Sequence, residues 1–378
     1  MTTHVLVTGG AGFVGSHLVD GLVERDYQVS VMDNLSSQVH TSKPPYLNEA
    51  VNYIWEDVRD RSVLRDVLKD VDVVSHQAAA VGVGQSMYEI ERYVNTNALG
   101  TATILDVLVN NDISLDKFVV ASSMSIYGEG EYDCSECNRV QHPGVRSASK
   151  MEKQNWDHTC VDCSGELDPQ PTTEEKPLDS TSVYAITKKD QEQLVRTVCR
   201  AYDIDSVALR YFNIYGSRQA LENPYTGVCA IFSSRIKNGK PPLVFEDGKQ
   251  KRDFVHVDDV VGANIAAIES SVDDIAFNVG TGEPISIEKV AEVLIDQYGA
   301  TDLEPKITND YREGDIRHCY ADISPIKDKL DWEPKISFED GVQELISWAE
   351  DKDVDDNFDQ ARSELEDKGL LLDDPSES

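Results

Sequence analysis

Residues 3–15 read Thr-His-Val-Leu-Val-Thr-Gly-Gly-Ala-Gly-Phe-Val-Gly. The apolar run Val5-Leu6-Val7 predicts a buried strand, and Leu18, Val19, Leu22 and Val23 recur at helical spacing directly after it. Gly9, Gly12 and Gly15 punctuate the turn between them. In that setting Gly9 permits the tight turn, Gly12 lets backbone N–H groups approach a pyrophosphate, and Gly15 lets the helix close on the strand, with Phe13 and Val14 opening the helix. A second strand, Gln28–Met32, ends at Asp33-Asn34. A carboxylate about 20 residues past the glycines accepts hydrogen bonds from an adenosine ribose and repels a 2'-phosphate. The expected cofactor is therefore NAD rather than NADP.

Strand-like and helix-like stretches then alternate. Asn52–Val58 predicts a third strand ending at Asp57-Val58, with Asp57 placed to meet the adenine amino group. Arg61–Lys69 predicts a helix, and Val71–His76 a fourth strand closing on Gln77-Ala78-Ala79, where small residues let the chain pass under a cofactor. A long helix is expected over 92–111, a fifth strand over Phe118–Ser123, a helix over 184–202 and a sixth strand over Ser206–Phe212. This pattern predicts an α/β fold with a doubly wound parallel sheet covered on both faces, a Rossmann domain over residues 1–212. Residues 129–181 interrupt it with polar, loop-like sequence holding four of the seven cysteines, and read as an insert. Beyond Asn213 turn signals multiply, so residues 213–348 are expected to form mainly a smaller substrate-binding domain. Residues 349–378 hold twelve Asp or Glu against three Lys or Arg and are expected to be a frayed acidic tail.

The chain of 378 residues carries 35 basic and 69 acidic residues, a formal net charge of -34. Such a balance repels nucleic acid and anionic membranes, so neither is an expected partner. No apolar run approaches the roughly 18 residues of a membrane span, and the first strand starts almost at once, which together predict a cytoplasmic protein.

Tyr184-Ala-Ile-Thr-Lys188 places a phenol and an ammonium one helical turn apart. The lysine's charge favours the phenolate, making Tyr184 a usable general base. The spacing alone is common on exposed helices. Its weight comes from order: glycine loop, Asp33, Ser122-Ser123 at the end of the fifth strand, then this helix.

Taken with Asn95-Thr-Asn97-Ala-Leu-Gly-Thr, Ser122-Ser-Met-Ser-Ile-Tyr-Gly128, Tyr211-Phe-Asn213, Arg252-Asp-Phe-Val-His-Val and Tyr311-Arg312-Glu-Gly-Asp315, the chain over roughly residues 3–348 resembles the extended short-chain dehydrogenase/reductases, specifically the NAD-dependent nucleotide-sugar epimerases and dehydratases. The resemblance implies that Ser123 bonds the sugar hydroxyl being oxidised, Tyr184 takes its proton and Lys188 assists while holding a ribose of NAD. It adds Asn97, Ser122 and Tyr211 to the cofactor site, and Ser125, Asn213, Arg252, Arg312 and Asp315 to the substrate site, with the two arginines on the diphosphate. A homodimer through the helices over 92–111 and 184–202 is also implied, and Ala98, Thr101, Leu105 and Leu108 form a face compatible with it.

In the resembling 4,6-dehydratases an Asp-Glu pair stands where Met124 and Ser125 stand here. Neither residue present can carry the proton transfers of water loss. That leaves 4-epimerisation of a dTDP- or UDP-hexose as the expected reaction. A reductase, a 4,6-dehydratase and a non-catalytic NAD sensor are the alternatives.

Cys134-Ser-Glu-Cys137 and Cys160-Val-Asp-Cys163 make two Cys-x-x-Cys pairs separated by 22 residues, the spacing of a zinc ribbon. Disulfides and four unremarkable thiols are the rival readings. A structural zinc is expected, supplying folding free energy to a segment with little apolar core.

Overall fold

Alternation along the strand His4–Thr8 sends Val5 and Val7 to one face and Leu6 to the other, and the two apolar clusters built on them define the layers. The computed structural model describes residues 2–40, 42–312, 314–350, 352 and 354–372. Seven parallel strands lie in the order Asn52–Ile54, Gln28–Met32, His4–Thr8, Val73–His76, Lys117–Ser123, Asp205–Tyr211, Ile275–Val279. Val5 and Val7 pack with Leu18, Leu22, Val260 and Ala263, under the helices Phe13–Val23 and Val257–Glu269. Leu6 packs with Leu64, Ile104, Leu108 and Val195, under Arg61–Val67, Gly100–Asn110 and Val183–Ala201. The order reverses between His4–Thr8 and Val73–His76, so the crevice for a dinucleotide opens where the glycine turn lies.

The structure departs from the sequence-based expectations in five places. The third strand ends at Ile54, and Asp57 lies in the turn that follows. The chain beyond Asn213 does not stay away from the sheet: Val257–Glu269 packs on its face and Ile275–Val279 adds the seventh strand, pairing Phe277 with Leu209. A separate apolar cluster, including Phe232, Phe254, Leu294 and Leu345, joins the helices Val228–Lys237, Ile287–Gln297 and Phe338–Glu350. The insert is not merely loop, since Glu131–Cys134 pairs antiparallel with both Arg139–Gln141 and Leu167–Gln170. Part of the expected frayed tail is ordered: Phe358–Asp367 is helical, with Ala361 and Leu365 buried, while residues 373–378 lie outside those described. Finally, Thr101, Leu105 and Leu108 do not form an outward face. They are buried in the chain, the two leucines in the core against its own sheet. The long helix there runs from Ile90 to Asn110 through a π-helical segment at Val94–Leu99.

The helix Val183–Ala201 begins at Ser182, whose side chain accepts from the Ala185 N–H. A buried ion pair pins it to the sheet: Arg210 donates from Nε and Nη2 to Glu192, at 3.0 and 2.6 Å, and the Ser122 hydroxyl donates to the same carboxylate at 2.6 Å. Both side chains of the pair are almost wholly buried. Removing one partner strands the other charge away from water, at a cost of about 3–5 kcal/mol. Glu192→Ala is therefore expected to destabilise the protein by about that amount, read as a lowered midpoint in urea unfolding.

Candidate functional site

The turn after the first strand can be built only from glycine at two points. Gly9 has φ +69°, and a Cβ there would lie 2.8 Å from the Ala78 backbone. A Cβ on Gly15 would lie 2.1 Å from the Gly9 carbonyl oxygen. The helix Phe13–Val23 starts at Gly12 with no side-chain cap and no acidic residue in its first turn. Its free N–H groups and the positive end of its dipole are left for an anion, which is the fit a pyrophosphate requires.

A cavity of about 430 Å³ opens there. It is lined by Gly9, Gly12, Phe13, Val14, Gly15, Asp33, Asn34, Asp57, Val58, Gln77, Ala78 and Ala79, and farther along by Ser122, Ser123, Tyr184, Lys188, Tyr211 and Asn213. Asp33 Oδ2 accepts from the Ala11 N–H at 3.0 Å and Oδ1 from the Leu35 N–H at 2.8 Å. Each oxygen keeps a lone pair for a ribose hydroxyl. Asp57 takes two hydrogen bonds from the Arg59 guanidinium, at 2.7 and 2.8 Å, and one from Asn34 at 2.9 Å; the Arg59 contacts hold its carboxyl down at about 2. Gln77 and Tyr211 are fixed to each other at 3.2 Å and both to Asn264.

Asn97 is placed differently from the expectation. It is fully buried and does not line the cavity. Its amide accepts from the Ala80 N–H at 2.7 Å and donates to the Ala80 carbonyl at 3.1 Å and to Thr187 at 3.0 Å. It ties the chain after the fourth strand to the helix that carries Tyr184.

A second cavity of about 400 Å³ adjoins the first, sharing Ser123, Tyr184 and Asn213 with it and adding Met124, Ser125, Arg252, Arg312 and Asp315. Ser123 Oγ accepts from the Ser125 N–H at 3.2 Å and the Ser125 hydroxyl at 2.9 Å. With both lone pairs engaged, its own O–H is left to donate. Burial raises the Tyr184 phenol above its usual range, and its hydrogen bond with Ser123 opposes the rise. Burial likewise pushes the Lys188 ammonium down to about 7, against the pull of Glu192. Tyr184, Lys188 and Glu192 stand at i, i+4 and i+8 on one helix face, a spacing visible in the sequence that would have pointed to Glu192.

Arg252 and Arg312 converge on Asp315, at 3.4 and 3.1 Å. Burial works against the Asp315 charge, but Arg312, Arg252 and Arg146 outweigh it and hold the carboxyl below its ordinary range. Two polar atoms at this cavity, Asn213 Oδ1 and Arg312 Nε, are buried with no partner among the described residues, as expected of groups that meet a ligand. From the insert, Arg146 donates to both oxygens of Glu246, at 2.8 and 2.7 Å, and to the Asp315 carbonyl at 2.9 Å.

The four insert cysteines come together away from both cavities, with every sulfur within 4.8 Å of the others. Cys134 and Cys163 lie 3.4 Å apart, and Cys137 and Cys160 3.6 Å. The two turns repeat each other: Asn138 N–H closes one onto the Cys134 carbonyl and Ser164 N–H the other onto the Cys160 carbonyl, both from left-handed residues.

The chain is 34% identical over 353 residues to dTDP-L-rhamnose 4-epimerase of Burkholderia thailandensis, covering 91% of this chain and 94% of that one. The crystal structure of UDP-glucose 4-epimerase with UDP-glucose from Thermotoga maritima superposes with a TM-score of 0.74 at 31% identity, over 92% of this chain and 98% of that one. UDP-glucuronic acid 4-epimerase from Bacillus cereus, in complex with UDP-glucuronic acid and NAD, does so with a TM-score of 0.72 at 28% identity, over the same shares. Residues 5–280 match the model of the NAD dependent epimerase/dehydratase family, and the chain belongs to that family.

Proposed function

We propose that this protein is an NAD-dependent 4-epimerase of a nucleotide-diphosphate hexose, a dTDP- or UDP-sugar. One observation carries the choice of reaction. Among the described residues lining the substrate-side cavity the sole carboxylate is Asp315, and two arginines engage it. Loss of water from a 4-keto sugar needs a proton acceptor and a proton donor beside the ring. Met124 and Ser125 hold the positions next to Ser123 and offer neither. A keto sugar formed here can only turn and take the hydride back, from either face.

When bound, NAD supplies the hydride acceptor and, on return, the donor. Asp33 would hold the adenosine ribose, the start of the helix Phe13–Val23 the pyrophosphate, and Lys188 the second ribose. The Ser123 hydroxyl donates to the sugar oxygen at C4, orienting it toward Tyr184. Tyr184 takes the proton from that oxygen as the C4–H bond breaks, and returns it after the sugar has turned. Glu192 favours the charged form of Lys188, and that charge in turn favours the Tyr184 phenolate. Asn213, Arg252 and Arg312 would take the diphosphate, Arg312 by its guanidinium fork and Arg252 by its Nε–H and charge, since its terminal nitrogens donate to Lys251, Arg317, Ile316 and Asp315.

The insert cysteines would hold one structural zinc. A tetrahedral ion with Zn–S bonds of about 2.3 Å sets its sulfurs about 3.8 Å apart, which the observed spacings bracket. The apolar cluster beside them is small, Tyr132 and Leu167 with the cysteines themselves, so the metal would supply stability the insert otherwise lacks. A reducing cytoplasm, our proposed location, keeps the four thiols available. Among the described residues no helix is long and apolar enough to cross a membrane.

A homodimer belongs to the same reading. The outward side of the paired helices carries Ile90, Val94, Leu99 and Ile186, between 43% and 52% exposed in the single chain. This row, rather than Leu105 and Leu108, is the apolar surface a second copy would cover.

Four outcomes are expected. Incubated with a panel of dTDP- and UDP-hexoses, the purified protein should yield C4 epimers by NMR without accumulating NADH. Tyr184→Phe should lower turnover by about 100- to 10,000-fold while bound NAD is unchanged; NADH formed in step with substrate loss would instead mark a net dehydrogenase, and NADH consumed a reductase. Elemental analysis should find about one zinc per chain, lost on Cys134→Ser with Cys160→Ser, which should expose the insert to proteolysis and leave NAD bound. Light scattering should give twice the chain mass, falling toward one on Val94→Glu with Ile186→Glu.

A further inference from the structure

The described C-terminal segment lines part of the substrate-side cavity. Near its start Asp356 and Asp359 pair with Arg235, at 3.3 and 2.8 Å, and with Lys240, both at 2.9 Å. Midway, Glu364 accepts from the Tyr225 hydroxyl at 2.6 Å and the Tyr88 hydroxyl at 3.3 Å, and Leu365 packs against Gly84. At its end Leu371–Leu372 pairs antiparallel with Tyr311–Arg312. The arm thus reaches both sides of the cleft, Gly84 and Tyr88 beside the dinucleotide domain and Arg235 and Arg312 opposite.

Phe358, Ala361 and Leu365 stand at i, i+3 and i+7, so they share one helix face. That face, with Leu370, lines the cavity that also holds Tyr184 and Arg312. Phe245 lies alongside, its ring centroid 6.3 Å from that of Phe358 and 5.2 Å from the Arg312 guanidinium. Starting from the sugar at Ser123 and Tyr184 and passing the diphosphate at Arg252 and Arg312, a nucleotide sugar arrives with its nucleoside at this apolar end. A base presents flat, weakly polar faces, which an aromatic and aliphatic surface matches. No acidic residue of the described arm lines the cavity, and Asp356, Asp359 and Glu364 are turned to Arg235, Lys240 and the two tyrosines.

We propose that the C-terminal arm is a wall of the substrate site, in which Phe358, Leu365 and Leu370, with Phe245, contact the nucleoside of the nucleotide sugar and set the affinity for it. This rests on the nucleotide-sugar reading above. The test measures binding of UDP and dTDP by calorimetry to the full chain, to a chain ending at Glu350, and to Phe358→Ala with Leu370→Ala, with NAD content and thermal melting as checks on folding. At least one nucleotide should bind the full chain, and both variants should bind it about tenfold or more weakly with NAD content unchanged. Affinities within twofold of the full chain would overturn the role of the arm and leave the epimerase reading intact. Failure of both nucleotides to bind the full chain would overturn both.

Discussion

The bidentate pair between Arg210 and Glu192 is the fixed point of this molecule. It joins the helix Val183–Ala201 to the strand Asp205–Tyr211, and the Ser122 hydroxyl adds the neighbouring strand to the same carboxylate. Sliding the helix by a turn would bury the Glu192 and Arg210 charges apart from each other, Arg210 keeping only neutral acceptors at Tyr127 and Glu174. Tyr184 and Lys188 ride on that helix, and Ser123 follows Ser122, so the spacing of the three groups is set by a contact none of them makes. Proton and hydride transfers tolerate little misplacement of the reacting atoms. Asn97 acts in the same sense from the other side, clamping Ala80 to Thr187.

A similar economy governs the anion site. Arg252 and Arg312 would repel each other if brought together unaided, and Asp315 between them removes that obstacle. Arg146 then connects the insert to the same place through the Asp315 carbonyl and Glu246. A segment far from the glycine turn in function as well as in chemistry is thereby mechanically joined to the residues that would grip a diphosphate.

Much of this was legible in the residues, and the boundary is physical. The glycine turn, Asp33 and the strand–helix alternation are local: each rests on side chains within a few positions of one another, so their spacing carries the geometry. Tyr184 and Lys188 share a helical turn for the same reason. Long-range pairings left no such trace. The strand Ile275–Val279 joins the sheet beside Asp205–Tyr211 after the helix Val257–Glu269 has packed next to Phe13–Val23, and no periodicity announces which sheet it joins. Asn97 sits in a motif suggestive of a ligand contact, yet its side chain is consumed by the backbone at Ala80. The leucines at 105 and 108 have a helical spacing that fits either a partner or the chain's own core, and burial decides for the core. The acidic C-terminal segment was misjudged by composition, because its few apolar residues fall on one face and its charges meet Arg235 and Lys240.

The inward-facing arginines have a consequence for how a substrate would arrive. At a formal net charge of -34, the far field of this protein repels a nucleotide diphosphate, and the attraction proposed for Arg252 and Arg312 would act only at short range. Most enzymes that bind anions lose diffusive capture as ionic strength rises, since screening blunts their steering. Here the order is reversed: mobile ions shorten the reach of the outer repulsion more than they weaken a short-range pair of guanidiniums. Added salt would then quicken encounter, up to the concentration at which anions begin to compete for the same two side chains.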